Sequence, residues 1–118
     1  MTHRTGAELI QQAKARIKQI PAAEAIRGGA GDTVYLDVRE PNEWNLGHVP
    51  GAIHIPRGML ESKVEEMIPR EKRVLIYCAS GNRSALAADT MQQMGYTDVA
   101  SLSEGFRGWA DSGGQVES

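Results

Sequence analysis

The chain has 118 residues, of which 41% are hydrophobic and 24% are charged, and this suits one ordinary globular domain. Its formal net charge of -2 argues against a general electrostatic attraction to nucleic acid or to an anionic membrane surface. Because the sequence holds one cysteine, it excludes an intrachain disulfide and a four-cysteine zinc site.

Targeting signals are not evident in the sequence. No apolar run reaches the roughly 20 residues that a membrane-spanning helix needs. The polar start of the chain and the amphipathic segment after it lack the continuous apolar core of a signal peptide. We therefore expect a cytoplasmic protein that acts neither at a membrane nor on nucleic acid.

The N-terminal segment predicts an amphipathic helix. Between Ala7 and Lys18, the apolar residues Ile10, Ala13 and Ile17 recur at helical spacing. We interpret residues 1–19 as a helical extension and residues 20–118 as the main domain. We expect the helix to pack on its own domain, and a dimer contact is the alternative.

Strands and helices alternate through the rest of the chain. The predicted strands are Thr33–Val38, Ala52–Ile55, Arg73–Tyr77 and Asp98–Leu102, and the predicted helices are Pro21–Ile26, Glu40–Trp44, Leu60–Ile68 and Ser84–Met94. This alternation predicts an α/β fold with a mostly parallel sheet. In such sheets, ligands bind beyond the carboxyl ends of the strands.

The loop after the clearest strand carries the candidate chemistry. It begins with Cys78 and continues through Ala79, Ser80, Gly81, Asn82, Arg83 and Ser84. Small residues before a helix allow backbone amides to turn toward one centre, where the helix start adds partial positive charge. With Arg83 as a cation at the rim, this arrangement favours the Cys78 thiolate and predicts a nucleophilic sulfur.

A lone cysteine after an apolar strand is more often a small core residue without chemistry. The glycine, arginine and serine that follow Cys78 favour anion binding over core packing. Only four residues separate Cys78 from Arg83, whereas the phosphate loop of cysteine phosphatases has five. On steric grounds, the shorter loop fits a single sulfur atom better than a phosphoryl group.

Four stretches in this order resemble the single-domain rhodanese sulfurtransferases. They are Leu36–Glu40 with Glu43 and Trp44, Gly47–Pro56, Tyr77–Ser84, and Leu102–Trp109. The resemblance covers residues from about 20 to 109. It implies a five-stranded parallel sheet with helices on both faces, and it requires no metal and no organic cofactor.

The resemblance also implies a reaction. Cys78 would take a sulfane sulfur from a donor such as thiosulfate, held by the backbone amides of Ala79 to Arg83. The resulting persulfide would pass its sulfur to cyanide, a thiol or a sulfur-accepting protein. Glu104 stands where the family often has glycine, and a carboxylate there is expected to disfavour anionic donors. The loop also has Arg83 as its one cation, which weakens its attraction to anionic donors further.

Several further residues are candidates for supporting roles. Asp37, Arg39 and Glu40 lie at the end of a predicted strand, and we expect them either to brace the loop from below or to form an ion pair that caps the next helix. His48 and His54 could act as a base for Cys78, but we favour roles in stabilising turns. Ser84 is expected to cap its helix through its hydroxyl and to contact the sulfur.

Two other functions fit the same residues. A rhodanese-like module could bind a partner protein without catalysis, although such a module would not need Cys78 or Arg83. A small cysteine phosphatase or arsenate reductase could use the same loop, although its short length disfavours a phosphatase. The sequence leaves the oligomeric state open.

Overall fold

A computed structural model of the chain describes residues 2–28 and 31–118. In that part of the chain, helices alternate with strands as the sequence predicts. The elements are α1 (Gly6–Arg16), β1 (Lys18–Ile20), α2 (Ala22–Gly28), β2 (Val34–Asp37), α3 (Pro41–Leu46), β3 (Ile53–His54), α4 (Leu60–Met67), β4 (Val74–Tyr77), α5 (Asn82–Gln93), β5 (Val99–Leu102) and α6 (Gly105–Asp111). A 3-10 turn, Arg57–Met59, precedes α4.

The five strands form one sheet in the order β1-β5-β4-β2-β3, and all the pairings are parallel. The predicted α/β fold is confirmed. Strand β4 lies at the centre of the sheet, between β5 and β2. The loop that follows β4 therefore lies at the middle of the carboxyl edge, where parallel sheets bind ligands.

Two apolar cores cover the two faces of the sheet, because side chains along a strand alternate between faces. In β4, Val74 and Ile76 face α4 and α5, whereas Leu75 and Tyr77 face α2 and α6. All four are buried, and this gives the nearly unbroken apolar run that a doubly covered parallel strand requires. Cys78 continues the alternation toward the α5 face.

The N-terminal segment contains a strand that the sequence pattern does not predict. The helix is present but ends at Arg16, and the next residues form β1, which pairs with β5 at the sheet edge. This strand crosses the proposed domain boundary between residues 19 and 20. Its three residues are too few to show an alternating pattern, so only pairing with β5 identifies them as a strand.

Helix α1 packs on α5 of its own chain. Ala13 is fully buried, and the Arg16 guanidinium forms two hydrogen bonds of 2.9 and 2.8 Å with the Asp89 carboxylate. The helix therefore packs on its own domain, as the sequence predicts.

Within residues 2–28 and 31–118, none of the helices combines the length and the apolar character needed to cross a bilayer.

Candidate active site

The Cys78 side chain lies at the carboxyl end of β4, beneath the first turn of α5. The residue is only 1% exposed, but it is not sealed in an apolar environment. The Gly81 amide points at the Cys78 Sγ at 3.1 Å, and the Ser84 amide points at it at 3.3 Å. The Ser84 Oγ lies 3.5 Å from the same sulfur.

Helix α5 begins two residues earlier than its sequence pattern predicts. Gly81 is its N-cap, and Ser84 is therefore the third residue of the helix. The sulfur occupies the place of an N-cap acceptor, because it accepts a hydrogen bond from an amide that has no partner within the helix. The partial positive charge at the helix start further favours a thiolate there.

Burial and hydrogen bonding act in opposite directions on the Cys78 thiol. Burial raises its pKa, since a charged sulfur loses contact with water. Hydrogen bonds from the Ser84 hydroxyl and from the amides of Ser84, Gly81 and Ser80 outweigh burial, so the pKa lies below its ordinary value. The loop therefore stabilises a thiolate, as its residues predict.

The start of α6 determines which way the loop peptides face. The Phe106 amide donates to the Cys78 carbonyl at 2.7 Å, and the Arg107 amide donates to the Ala79 carbonyl at 3.3 Å. Because α6 binds these carbonyls, they point away from the sulfur. This contact requires Gly105, whose φ is +66° and where a Cβ would lie 2.4 Å from the Ala79 carbonyl oxygen.

Arg83 is partly exposed in the first turn of α5, and its charge is paired. Its guanidinium forms a two-pronged ion pair with the Glu43 carboxylate of α3, at 2.9 and 3.1 Å, and the groups that lower the pKa of the Cys78 thiol are amides and a hydroxyl. The sequence does not predict this pairing, which leaves Arg83 with little net charge. Glu43 neutralises it because a carboxylate matches the guanidinium fork in both geometry and charge.

The Glu43–Arg83 pair should make a pH-dependent contribution to stability. The hydrogen bonds from Arg83 lower the pKa of Glu43 from 4.5 to about 2. The pair therefore stabilises the fold fully above pH 4.5, and this contribution is lost as the pH falls through about 2. We expect Glu43→Gln to reduce the free energy of unfolding by about 1 kcal/mol at pH 7 and by less at pH 3, measured by urea denaturation.

Glu61→Gln is a matched control, because the Glu61 pair with Arg57 is more exposed. We expect it to change the free energy of unfolding by less than about 0.5 kcal/mol. A Glu43→Gln effect that is the same at both pH values would contradict the assigned pair.

A buried ion pair lies beneath the loop. The Arg39 Nη2 lies 2.8 Å from the Asp37 carboxylate and 2.6 Å from the Gly47 carbonyl oxygen, and neither charged side chain is more than 6% exposed. The Arg39 guanidinium also lies 4.3 Å from the Phe106 ring centroid. Because the Phe106 amide binds the Cys78 carbonyl, this pair can brace the loop from below.

The remaining charged candidates lie outside the sulfur's immediate surroundings. Glu40 is exposed at the start of α3, where its amide donates to the Glu43 carboxylate at 2.9 Å. The Glu104 carboxylate accepts a hydrogen bond from the Ala22 amide at 2.5 Å. The carboxylate binds there because the first amides of a helix have no partner within the helix.

Both histidines stack against the Trp44 indole rather than facing Cys78. The His48 and His54 ring centroids lie 3.4 and 4.8 Å from that of Trp44, with nearly parallel planes. Each ring also contacts a backbone carbonyl, of Trp44 and of Arg39 respectively. This arrangement agrees with the favoured role in stabilising turns.

Four of the predicted loop residues surround the sulfur: the amides of Ser80, Gly81 and Ser84 lower its pKa through hydrogen bonds, and Ala79 completes the bend. Asn82 is the first residue of α5 and is exposed. The sequence interpretation missed the roles of Glu43 and of the α6 amides. The only available signal was the placement of Glu43 in a motif stretch, because the contacts themselves join distant parts of the chain.

The fold and this site define an α/β protein with a thiolate-stabilising loop at the carboxyl edge of a parallel sheet. The rhodanese-like domain model matches residues 21–112, and the chain belongs to this family. A sulfurtransferase from Allochromatium vinosum is 37% identical over 82 residues, which cover 70% of this chain and 76% of that protein. Sulfur transfer is therefore the function supported at the level of the family.

Two further relatives resemble this chain over most of its length. The uncharacterized protein YqhL of Bacillus subtilis is 37% identical over 102 residues, covering 86% of this chain and 78% of YqhL. A solved structure from Rhodopseudomonas palustris, described as a protein of unknown function and possible tyrosine phosphatase, shares 38% identity with a TM-score of 0.88. The match covers 99% of this chain and 97% of the Rhodopseudomonas palustris chain.

Proposed function

We propose that this protein transfers a sulfane sulfur from a small donor to a thiophilic acceptor through a persulfide on Cys78. The observation that carries the proposal is that the Gly81 and Ser84 amides donate to the Cys78 Sγ, with the Ser84 Oγ 3.5 Å from it. These bonds favour the thiolate, which is the form of cysteine that attacks sulfur.

The reaction balances as two displacements at sulfur. In the first, the Cys78 thiolate attacks the outer sulfur of thiosulfate, so that an S–S bond forms to Cys78 and the bond to the sulfonate breaks. Sulfite leaves with the bonding electron pair. In the second, cyanide or a thiolate attacks the outer sulfur of the persulfide and releases the Cys78 thiolate. No metal or organic cofactor takes part in either step.

The amides around Cys78 support both steps of this chemistry. Sulfur carries negative charge in the thiolate before the reaction and in the persulfide anion after it. Fixed N–H donors stabilise such charge without reorganising. Because the lone cysteine must be reduced in order to react, a reducing compartment such as the cytoplasm is the proposed location.

The Glu43–Arg83 pair bears on the choice of donor. Its two opposite charges cancel, so Arg83 offers little net attraction to a doubly charged donor such as thiosulfate. We therefore propose that donors with less charge, such as organic persulfides, react faster than thiosulfate. A thiol or a sulfur-accepting protein is the proposed acceptor.

Intact-mass measurement tests the persulfide directly. We expect the protein to gain the mass of one sulfur atom after incubation with thiosulfate or with an organic persulfide, and to lose it to cyanide as thiocyanate. Cys78→Ser is the control and should gain nothing, because the chain has no other cysteine. If the native protein gains no sulfur from either donor, the proposal is wrong.

The similarity to a possible tyrosine phosphatase gives the second arm of the experiment. In this chain the loop has four residues between Cys78 and Arg83, and the Arg83 guanidinium is already paired with Glu43. Both features disfavour a phosphoryl group. We expect no hydrolysis of p-nitrophenyl phosphate, and hydrolysis that depends on Cys78 would favour the phosphatase.

A further inference from the structure

A second serine lies behind the one that contacts the sulfur. Ser101 is on β5, next to β4, and the alternation of strand side chains places it on the same face of the sheet as Cys78. Its Oγ lies 2.7 Å from the Ser84 Oγ, and both serines are completely buried. The Ser84 Oγ in turn lies 3.5 Å from the Cys78 Sγ.

The two hydroxyls carry two protons, but only one proton can lie on the line between their oxygens. Within the described part of the chain, the Ser84 Oγ is the hydrogen-bond partner of the Ser101 Oγ. If Ser101 donates to Ser84, the Ser84 proton points to the sulfur, and both protons have acceptors. If Ser84 donates to Ser101, the Ser101 proton is buried without one.

The first arrangement is favoured because an unmade hydrogen bond is costly in a buried site. A buried hydroxyl proton without an acceptor has lost its hydrogen bond to water and gained nothing in return. The favoured arrangement also aligns both hydroxyl dipoles toward the sulfur. Such chains of hydrogen bonds strengthen one another.

We propose that Ser101 is a positioning residue that holds the Ser84 hydroxyl proton toward the Cys78 sulfur. It acts through Ser84 and does not touch the sulfur itself. If a protonated Cys78 thiol donates to the Ser84 oxygen, the Ser84 proton must turn away from the sulfur, and among these three groups one of the two hydroxyl protons then lacks an acceptor. The pair therefore favours the thiolate over the thiol.

The importance of this pair for sulfur transfer rests on the proposed function, but its test does not. Because the chain has one cysteine, the rate of alkylation by iodoacetamide at each pH reports the thiolate fraction of Cys78 alone. This readout is independent of whether a persulfide forms. Because unfolding would also return the midpoint to the ordinary thiol value, the profiles are compared for variants that circular dichroism shows to be folded.

The experiment compares the native protein with Ser84→Ala, Ser101→Ala and the double variant. We expect Ser101→Ala to raise the midpoint and to slow alkylation by about two- to fivefold at a pH below it, with no change in the high-pH plateau. Ser84→Ala should have a larger effect. The double variant should match Ser84→Ala alone, because Ser101 acts through Ser84.

Ser103→Ala is the matched control, since the Ser103 hydroxyl donates to the Ile20 carbonyl at 3.4 Å. It should leave the pH profile unchanged. The proposal is overturned if Ser101→Ala leaves the midpoint where it was. It is equally overturned if Ser101→Ala shifts the midpoint by the same amount in the Ser84→Ala background as in the native protein.

Discussion

Arg39→Ala is expected to reduce the free energy of unfolding by about 3–5 kcal/mol, because it leaves a buried charge without its partner. The Asp37 side chain is completely buried, and Arg39 supplies its charged partner through three side-chain hydrogen bonds. The variant also removes the hydrogen bond to the Gly47 carbonyl and the cation above the Phe106 ring. Urea denaturation measures the loss.

Arg73→Ala is the control for this prediction, because it removes the same kind of side chain from an exposed pair. Arg73 and its partner Asp98 are 68% and 38% exposed. We expect a loss of less than about 1 kcal/mol. Equal losses for the two variants would show that the Asp37–Arg39 pair is not isolated from water as the structure has it.

The Arg39→Ala variant should also affect the candidate site. Phe106 lies between the ion pair and the loop, and its amide binds the Cys78 carbonyl. Without the cation, the start of α6 loses part of its support. We expect the midpoint of Cys78 alkylation to rise under conditions where the variant remains folded, because the loop amides are held less firmly around the sulfur.

Gly81→Ala is expected to destabilise the protein by about 2–5 kcal/mol and to raise the pKa of Cys78. The φ angle of Gly81 is +107°, which is unfavourable for a residue with a Cβ. A Cβ would also lie 2.4 Å from the Ser103 carbonyl oxygen, which belongs to the backbone and cannot rotate away. The loop would have to shift, carrying the Gly81 amide away from the sulfur.

Gly51→Ala separates the two causes. Gly51 also has a positive φ, of +78°, but no heavy atom lies within 4 Å of its Cβ position. This variant should lose only the conformational term of about 1–2 kcal/mol and should not alter the alkylation profile of Cys78. If both glycine variants lose equal stability, the close packing of the loop against residue 103 is contradicted.

Local patterns were sufficient for most of the fold. The strand Val74–Tyr77 was predicted because a strand covered on both faces needs a continuous apolar run. The helix after Cys78 was predicted from its apolar spacing, although its start was placed at Ser84 instead of Asn82. The two residues in question, Asn82 and Arg83, are polar, and the spacing of apolar residues does not detect them.

The missed features all depend on contacts between distant segments. Strand β1 exists because its residues pair with β5, more than 80 positions away in the chain. Arg83 is neutralised by a carboxylate 40 residues earlier, and Ser84 is joined to a serine 17 residues later. Neither partner is marked by its local sequence, because an acidic residue in a helix and a serine in a strand are common on protein surfaces.

The amino-acid sequence alone determined the α/β architecture, the family and the position of the one cysteine at the end of the clearest strand. Those properties follow from side-chain periodicity and from residues that are neighbours along the chain. Only the tertiary structure decided which groups face the sulfur, since it brings α3, β5 and α6 against the loop. The electrostatic environment of Cys78 depends on distances of about 3 Å between segments that the chain order leaves far apart.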